Sequence, residues 1–420
     1  MKATAVIAAL NPGREKISPM KKPSLNSRWA MVFFSVALTI HMAGQALAAA
    51  PASVEAPIKT SGKVFLGVPS FSVQKLFDGR GARDIITTRA GNVLAFHDNK
   101  LRESTNGGAT WSPLREIGAD AGGCAVVNET KGEVLLVHAD KGFLWKSRDE
   151  GRTWARETIK ISPNGFGHGS PDGVPLNVGA FQPGITLQFG KHKGRLLMPG
   201  RIFGPKNSND VEWRPYHYNA AMFSDDGGST WQVSAPFPVL GSGEGALAEL
   251  SDGRILYSSR EHMSVGNRWF GWSHDGGALW IDAYQDPVLP DGARGTSYGC
   301  MGGLIRLPIA GADVLLYSNL DADGGKMPKQ AGGSTSSGRE RVTVWASFDA
   351  GKTWPVKRCV HPGPSAYSNL GVGRPGTPGE GKIFLNFEGG EKNCYEAVHV
   401  AVFNLSWLLN GRELREASAK

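Results

Sequence analysis

An eight-residue pattern, Ser-x-Asp-x-Gly-x-Thr-Trp, occurs five times with small departures in this chain of 420 residues. The copies read STNGGATW at 104–111, SRDEGRTW at 147–154, SDDGGSTW at 224–231, SHDGGALW at 273–280 and SFDAGKTW at 347–354. The aspartate can accept hydrogen bonds from backbone amides of its own turn, the glycine can adopt a positive φ, and the tryptophan begins the next strand with a large apolar side chain. Each copy therefore predicts a tight hairpin between two strands.

The spacing of the five copies predicts a β-propeller. Their first residues are 43, 77, 49 and 74 positions apart. A four-stranded blade takes roughly 40–50 residues, so the shorter spacings match one blade and the longer ones a blade with inserted loops. With 56 glycines, 25 prolines and 20% charged residues, the composition favours short strands and turns. We therefore expect an all-β protein, a six-bladed propeller over residues 63–410, and a tail at 411–420.

The first fifty residues differ from the rest of the chain. Four basic residues between positions 16 and 28 precede an apolar run at 29–40, and Ala-Leu-Ala follows at 46–48. This order is typical of a secretory signal peptide, and a run of about twelve residues is shorter than the roughly twenty that span a bilayer. We expect a signal peptide at 1–48, a linker at 49–62, no membrane span in the mature chain, and export to the periplasm or secretion.

Charge and cysteine spacing argue against several classes of function. The formal net charge of +8 falls to +3 when residues 1–48, with six basic and one acidic residue, are removed. No basic cluster interleaved with aromatic residues remains, so nucleic-acid binding is not expected. Four cysteines, at 124, 300, 359 and 394, lack Cys-x-x-Cys spacing, which leaves up to two disulfides or buried free thiols as alternatives. The histidines show no ligand spacing, and no metal or organic cofactor is expected, with a structural calcium left open.

The five repeats resemble the Asp-boxes of the sialidase superfamily, and stretches between them resemble that family in the same order. The sequences Gln-Pro-Gly-Ile-Thr-Leu at 182–187 and Gly-Arg-Leu-Leu-Met-Pro at 194–199 look like two of its strands. The segment 244–260 begins with a glutamate and ends with an arginine sixteen residues later, as in the family, and 363–370 is similar to the nucleophile segment. The resemblance covers most of residues 80–405. It implies a bacterial-type exo-α-sialidase, a retaining hydrolase that releases terminal sialic acid or a related 2-keto acid sugar.

The resemblance also implies which residues act on the glycosidic bond. Tyr367 matches the nucleophile and Glu244 its base, since a phenol with a pKa near 10 needs a proton acceptor. The anionic sugar would repel a carboxylate nucleophile, which explains why this family uses tyrosine. Asp98 matches the acid/base residue, although its loop is shortened and runs almost directly into the first repeat. Asp172 is the alternative, and a plain turn aspartate is the competing interpretation of either position.

Substrate binding is expected from arginines, because the planar guanidinium pairs with a carboxylate through two parallel hydrogen bonds. The resemblance matches the substrate-binding set to Arg83, Arg260, Arg339 and Glu388, the last as the acid that orients the first arginine. No proline follows the arginine at 83 as it does in the family, so Arg80 is a second candidate for that role. Arg341 is the neighbour most easily confused with Arg339.

Sialylated glycans or glycoconjugates are the partners that this resemblance implies. The alternative function is a non-catalytic propeller that binds glycans or a protein, because this fold hosts many functions. The shortened loop at Asp98 is the feature that favours the alternative. The sequence leaves open the linkage, the sugar substituents, hydrolysis against transfer, and the oligomeric state.

Overall fold

Short strands and tight turns make up most of the regular structure, as the glycine-rich composition predicted. The structure, a computed structural model, describes residues 54–56, 60–82, 84–164, 182–203, 214, 216–263, 266–292, 299–322 and 338–416. The signal peptide predicted at 1–48 lies outside these residues. Within them the helices are one α-helix, Leu405–Leu409 (α1), and the 3₁₀ helices Thr60–Phe65 and Ala139–Lys141. None of these described helices has the length and hydrophobicity needed to cross a bilayer.

Two separate antiparallel sheets follow the first two strands, Val54–Ala56 (β1) and Phe71–Asp78 (β2). The first sheet contains Ile85–Thr87 (β3), Val93–His97 (β4), Lys100–Ser104 (β5) and Arg115–Glu116 (β6). The second contains Cys124–Asn128 (β7), Glu133–His138 (β8), Phe143–Ser147 (β9) and Ala155–Thr158 (β10). In both sheets each strand pairs with the next along the chain, which is the connectivity of a propeller blade.

Two more sheets follow with the same strand connectivity. The third contains Lys160–Ser162 (β11), Ile185–Thr186 (β12), Leu196–Ile202 (β13), Tyr218–Ser224 (β14) and Thr230–Val233 (β15). Its strand β11 pairs parallel with β15 and adds a fifth strand at the outer edge. The fourth contains Ser242–Glu249 (β16), Ile255–Glu261 (β17), Asn267–Ser273 (β18) and Ile281–Pro290 (β19).

A seven-stranded sheet follows the four separate sheets in the described part of the chain. It has the order β2-β25-β24-β23-β22-β21-β20. Its strands from β20 onward are Leu304–Arg306 (β20), Leu315–Leu320 (β21), Glu340–Ser347 (β22), Val356–Val372 (β23), Ile383–Gly389 (β24) and Ala397–Phe403 (β25). Apart from a two-stranded sheet formed by the terminal segments, the described residues therefore form four separate propeller-like sheets and one larger sheet. The prediction of six separate blades is wrong in that respect.

The difference arises in β23, a single strand of 17 residues. Its first part pairs with β22 and its second part with β24, with register shifts on both sides of Pro364. The sequence Pro-Gly-Pro at 362–364 predicts a break in the strand, because proline cannot donate to the ladder. Instead the strand passes through this point and changes partners there.

The first strands of the sheets surround a common axis. Strand β3 contacts β7, β7 contacts β12, β16 contacts β13 and β20, and β23 contacts both β20 and β3. We call β3, β7, β12, β16, β20 and residues 365–372 of β23 the inner strands. Apolar side chains fill the space between neighbouring sheets, as where Leu135 and Val137 pack with Leu196 and Met198. The arrangement is therefore an all-β, propeller-like ring.

All five repeats form the hairpins that the sequence predicted, each between the third and fourth strands of a sheet. In every copy the serine hydroxyl accepts the amide of the glycine four residues later over 2.8–2.9 Å. The Asp or Asn side chain accepts the amide four residues after itself over 2.8–3.0 Å. The bonded glycines have φ between 82° and 98°, a region that side-chain-bearing residues rarely adopt.

The N- and C-terminal segments of the described chain pair with each other. Strand β2 forms the outer edge of the seven-stranded sheet by pairing antiparallel with β25. Strand β1 pairs parallel with Leu414–Glu416 (β26). Part of the predicted tail at 411–420 thus forms a strand with part of the predicted linker at 49–62.

Candidate active site

Three side chains that sequence reasoning grouped together meet at the end of the ring where the inner strands begin. Tyr367 lies in β23, Glu244 in β16 and Arg260 near the end of β17. The Tyr367 hydroxyl donates to Oε1 of Glu244 over 2.7 Å. Arg260 Nη1 donates to the Tyr367 oxygen over 3.1 Å and also to Oε2 of Glu244. The three groups therefore form one hydrogen-bonded cluster, although 107 to 123 residues separate Tyr367 from its two partners.

The electrostatics of this cluster fit the direction of its hydrogen bonds. Glu244 is 4% exposed; burial raises its pKa, but the positive charges of Arg260 and Arg201, together with the hydrogen bonds from Tyr367 and Arg260, outweigh that effect and the net pKa is lowered. Burial, and next the charge of Glu244, raise the pKa of Tyr367. At neutral pH the carboxylate is thus ionised and the phenol protonated, so Glu244 is placed to accept the phenolic proton.

Arg339 borders the same tyrosine, whereas Arg341 points away. Arg339 is 3% exposed, and its guanidinium lies 5.4 Å from the ring centroid of Tyr367. It donates from Nη1 to the Tyr395 hydroxyl over 2.8 Å and from Nη2 to the carbonyl of Gly299 over 3.2 Å. Arg341 is exposed and donates from Nε to the carbonyl of Asp321. Of these two neighbours in sequence, Arg339 belongs to the cluster.

Glu388 connects two segments of backbone at the cluster. Its buried carboxylate accepts the amide of Gly81 over 2.8 Å and the amide of Tyr367 over 3.2 Å. Burial raises the pKa of Glu388. Arg83, the arginine that Glu388 was predicted to orient, lies outside the described residues. Arg80 is exposed, and its guanidinium lies 4.9 Å from the ring centroid of Tyr395, which places it next to the partner of Arg339.

Asp98 occupies the turn between β4 and β5. Because β4 runs antiparallel to β3, this turn lies at the same end of the ring as Tyr367 and Glu244. Its φ is 51° and its side chain is 60% exposed, with one carboxylate oxygen 3.8 Å from Nδ1 of His97. The other nitrogen of His97 lies 3.0 Å from the carbonyl of Arg80. Asp172, the alternative acid, lies outside the described residues.

Two residues near the cluster, Tyr395 and Arg201, were not predicted from the sequence. Tyr395 lies between β24 and β25, and Arg201 is a buried residue near the end of β13. Nη1 of Arg201 comes within 3.2 Å of the position that a Cβ would occupy at Gly243, the neighbour of Glu244. Their place in the blade could have indicated them, because the connections between the second and third strands of a blade lie at the same end of the ring as Tyr367. Tyr395 lies in such a connection and Arg201 lies directly before one.

Three of the four cysteines are free thiols in the described part of the chain: Cys300 and Cys394 are buried and Cys359 is partly buried. For these three, the structure agrees with the free-thiol alternative that the sequence left open. Among the described residues no group of three or more His, Cys, Asp or Glu side chains is placed to hold a metal ion.

A cavity lies elsewhere, along the axis toward the ends of the inner strands. It has a volume of about 400 Å³ and is lined mainly by apolar side chains such as Val127, Leu247 and Val372. The ion pair of Arg374 with Glu129 borders it. None of the side chains of the cluster around Tyr367 lines this cavity. The candidate site is therefore identified by the hydrogen bonds among its side chains and not by a cavity.

Comparison with known proteins agrees with these features. No known family model matches the chain. It is 27% identical over 368 residues to the sialidase of Micromonospora viridifaciens, a match that covers 77% of this chain and 51% of that protein. A sialidase of Bacteroides fragilis is 22% identical over 329 residues, 64% of this chain and 53% of the relative. The chain thus spans about half the length of these curated relatives.

Solved structures show the same fold. The NanB sialidase of Streptococcus pneumoniae superposes with a TM-score of 0.57 at 15% identity, covering 84% of this chain and 71% of the other. The Hadza microbial sialidase Hz136 gives 0.56 at 19% identity, with 79% and 66% covered. A leech intramolecular trans-sialidase gives 0.55 at 14%, with 80% and 69% covered. The protein therefore has a propeller-like sialidase fold. The chain is therefore similar to sialidases both in fold and, at 22–27% identity to these two relatives, in sequence.

Proposed function

We propose that the protein is an exo-α-sialidase, a retaining glycoside hydrolase that releases terminal sialic acid or a related 2-keto acid sugar from glycoconjugates. The observation that carries the proposal is the hydrogen bond from Tyr367 to the buried, ionised Glu244, with Arg260 bonded to both groups. A tyrosine held against a carboxylate base is an activated nucleophile. The names of the curated relatives point to the same chemistry.

The arginines supply a reason for a carboxylate-bearing sugar. The guanidinium groups of Arg260 and Arg339 lie 5.9 and 5.4 Å from the ring centroid of Tyr367, so a sugar whose anomeric carbon faces the phenol lies within their reach. In sialic acid the carboxylate is attached to that carbon. Each charge-assisted hydrogen bond contributes about 1.5–3 kcal/mol. The pair would therefore select an anionic sugar and orient its anomeric carbon toward Tyr367.

The proposed reaction has two steps. Glu244 accepts the phenolic proton as the Tyr367 oxygen bonds to the anomeric carbon, while the glycosidic bond breaks and the departing oxygen takes a proton from Asp98. In the second step water attacks the anomeric carbon, Asp98 takes a proton from that water, and the tyrosine oxygen leaves and regains its proton from Glu244. Two displacements at one carbon retain its configuration.

The number of blades and the export of the chain are also part of this proposal. We infer that the seven-stranded sheet corresponds to two blades joined through β23, whose two parts pair with different neighbours; this would give six blades in total. We also infer that residues 1–48 direct export, which would bring the mature enzyme to sialylated glycans outside the cytoplasm.

The decisive experiment compares Tyr367→Phe with the wild-type protein expressed from residue 49. We expect kcat on an aryl sialoside to fall by at least about 10²-fold, because removal of the hydroxyl removes the nucleophile. Tyr284→Phe, in the partly buried part of β19, is the matched control and should retain normal turnover. NMR of the wild-type reaction should show the α-anomer of the sugar as the first product.

Two outcomes would contradict the proposal. Wild-type turnover by Tyr367→Phe, with an unchanged thermal midpoint, would exclude this nucleophile. Binding of sialylated glycans by the wild-type protein without any hydrolysis would favour the alternative of a non-catalytic propeller.

A further inference from the structure

We propose that a buried ion pair outside the predicted site, Arg268 with Asp291, acts together with Gly299 to hold Arg260 and Arg339 in place. These are positioning residues, since they touch the arginines and their backbone and not the proposed sugar. The effect on catalysis rests on the proposed function, whereas the effect on the arginine positions does not.

The ion pair itself is almost inaccessible to water. Arg268, in β18, is fully buried, and Asp291, directly after β19, is 8% exposed. Nη1 of Arg268 donates to Oδ1 of Asp291 over 2.7 Å, and Nε donates to the hydroxyl of Ser258 over 2.9 Å. Because desolvation offsets the attraction, a buried pair of this kind adds little net stability compared with apolar residues. The contacts of the pair with neighbouring residues therefore indicate its role better than its contribution to stability does.

One set of contacts leads to Arg339 through residues 299 and 300. Nη1 of Arg268 also donates to the carbonyl of Cys300 over 2.9 Å, and the amide of Cys300 donates to the carbonyl of Asp291 over 3.0 Å. The adjacent carbonyl, that of Gly299, accepts Nη2 of Arg339 over 3.2 Å. The pair thus fixes the short backbone segment that receives the guanidinium of Arg339.

A second set of contacts connects the ion pair to Arg260. The other carboxylate oxygen of Asp291 accepts the amide of Glu261 over 2.8 Å, which fixes the backbone immediately after Arg260. Gly299 packs between these groups: a Cβ there would lie 2.8 Å from Oδ2 of Asp291 and 2.9 Å from Cγ of Arg260. Gly299 has no positive φ, so an alanine would be acceptable to the backbone and would act by steric displacement alone.

The test uses two variants, each with a matched control. Asp291→Asn removes the charge but keeps the shape, and its control is Asp313→Asn in the less buried Arg306–Asp313 pair near the axial cavity. Gly299→Ala adds one methyl group, and its control is Gly67→Ala, where the nearest atom to a new Cβ is 3.9 Å away.

Crystal structures provide a readout that does not depend on activity. We expect the guanidinium groups of Arg260 and Arg339 to shift in Gly299→Ala and Asp291→Asn by more than in either control. If Asp291→Asn does not fold, the alanine variant decides alone. Unshifted guanidiniums in the folded variants would overturn the inference, and this holds even if the wild-type protein proves to have no sialidase activity.

Ligand binding supplies the functional readout. We expect the dissociation constant of an unsaturated sialic-acid analogue to rise at least tenfold in both variants, while that of its methyl ester changes less than twofold. KM should rise more than kcat falls, because ground-state contacts with the carboxylate are lost. A purely structural role would lower the thermal midpoint but leave the dissociation constant of the folded fraction unchanged, which would contradict positioning.

Discussion

The positive charges of two arginines, Arg260 and Arg201, act on the carboxylate of Glu244 and influence how the proposed base titrates. Burial raises its pKa, while the charges of Arg260 and Arg201 and the hydrogen bonds from Tyr367 and Arg260 together lower it by more. A carboxyl group whose pKa is lowered on folding contributes stability above its ordinary pKa and loses it as the pH falls through the lowered value. Glu244 should therefore remain an active base to a lower pH than an ordinary glutamate.

Substitution of Arg201 tests this directly. In Arg201→Gln one of the two positive charges disappears, so the pKa of Glu244 should rise and the acid limb of the kcat/KM profile should move to higher pH. Arg195→Gln is the control, since Arg195 precedes the same strand but pairs with Asp225 at the other end. An acid limb at the wild-type pH in Arg201→Gln would show that this arginine does not tune the base.

The side chain of Asp98 is 60% exposed in a short turn. A comparison of two substrates tests whether it acts as the general acid. A general acid matters for a poor leaving group, such as the galactose oxygen of a natural sialoside, and little for a phenol. Asp98→Ala should therefore lose about 10²–10⁴-fold in kcat on natural sialosides and much less on aryl sialosides. Equal losses on the two substrates would make Asp98 a turn residue, and the same comparison on Asp172→Ala would follow.

At the scale of elements, four of the five hairpins contain an aspartate whose carboxylate accepts hydrogen bonds from its own turn, and the first has an asparagine in its place. In the second copy the Asp149 side chain accepts the amide and the hydroxyl of Thr153. Burial opposes ionisation of Asp149, but these bonds and those from Ser147 and Arg152 together outweigh it and lower the pKa of Asp149 from 3.8 to about 2. Its contribution to stability is present above pH 4 and is lost as the pH falls toward 2.

We expect Asp149→Ala to lower the free energy of unfolding at pH 7 by about 1 kcal/mol, a modest value because the turn is open to water. Urea unfolding at pH 7, 5 and 3 measures this difference, which should shrink at pH 3. Kinetic constants on a sialoside should not change, since the turn lies at the end of the ring away from Tyr367. Asp140→Ala, at an exposed aspartate of the same sheet, is the control. A difference that stays constant with pH would contradict the carboxylate's role.

The hairpins could be predicted from the sequence because every group that makes them lies within eight residues. The continuous course of β23 from pairing with β22 to pairing with β24 could not, because Pro-Gly-Pro at 362–364 reads locally as a break. In the site, Tyr367, Glu244, Arg260 and Arg339 were found through segments that resemble a known family. The pair of Arg268 and Asp291 was not, because only the folded chain brings a residue of β18 against the end of β19.

At the scale of the whole molecule, a strand from near the beginning of the described chain completes the last sheet. Strand β2 pairs along its length with β25, from Phe71 opposite Phe403 to Asp78 opposite Ala397. Leu76 and Phe77 of β2 are 5% and 6% exposed and pack in the core between the first and last sheets. The ring therefore depends on contacts between residues more than 300 positions apart in sequence.

Truncation tests how much of the stability depends on this closure. We compare chains that begin at residues 49, 60 and 79, of which the second lacks β1 and the third also lacks β2. Loss of β2 removes buried apolar side chains and leaves β25 as an unpaired edge, so the thermal midpoint should fall by about 10 °C or more, or the chain should aggregate. Loss of β1 removes one three-residue pairing and should change the midpoint by about 3 °C at most.

A synthetic peptide of residues 60–78 should bind the chain that begins at residue 79 and restore its thermal midpoint, because an extended strand can add to an open sheet edge. If the chain from 79 unfolds at the wild-type temperature, the last sheet is stable without β2, and the ring is closed by contacts among the inner strands alone.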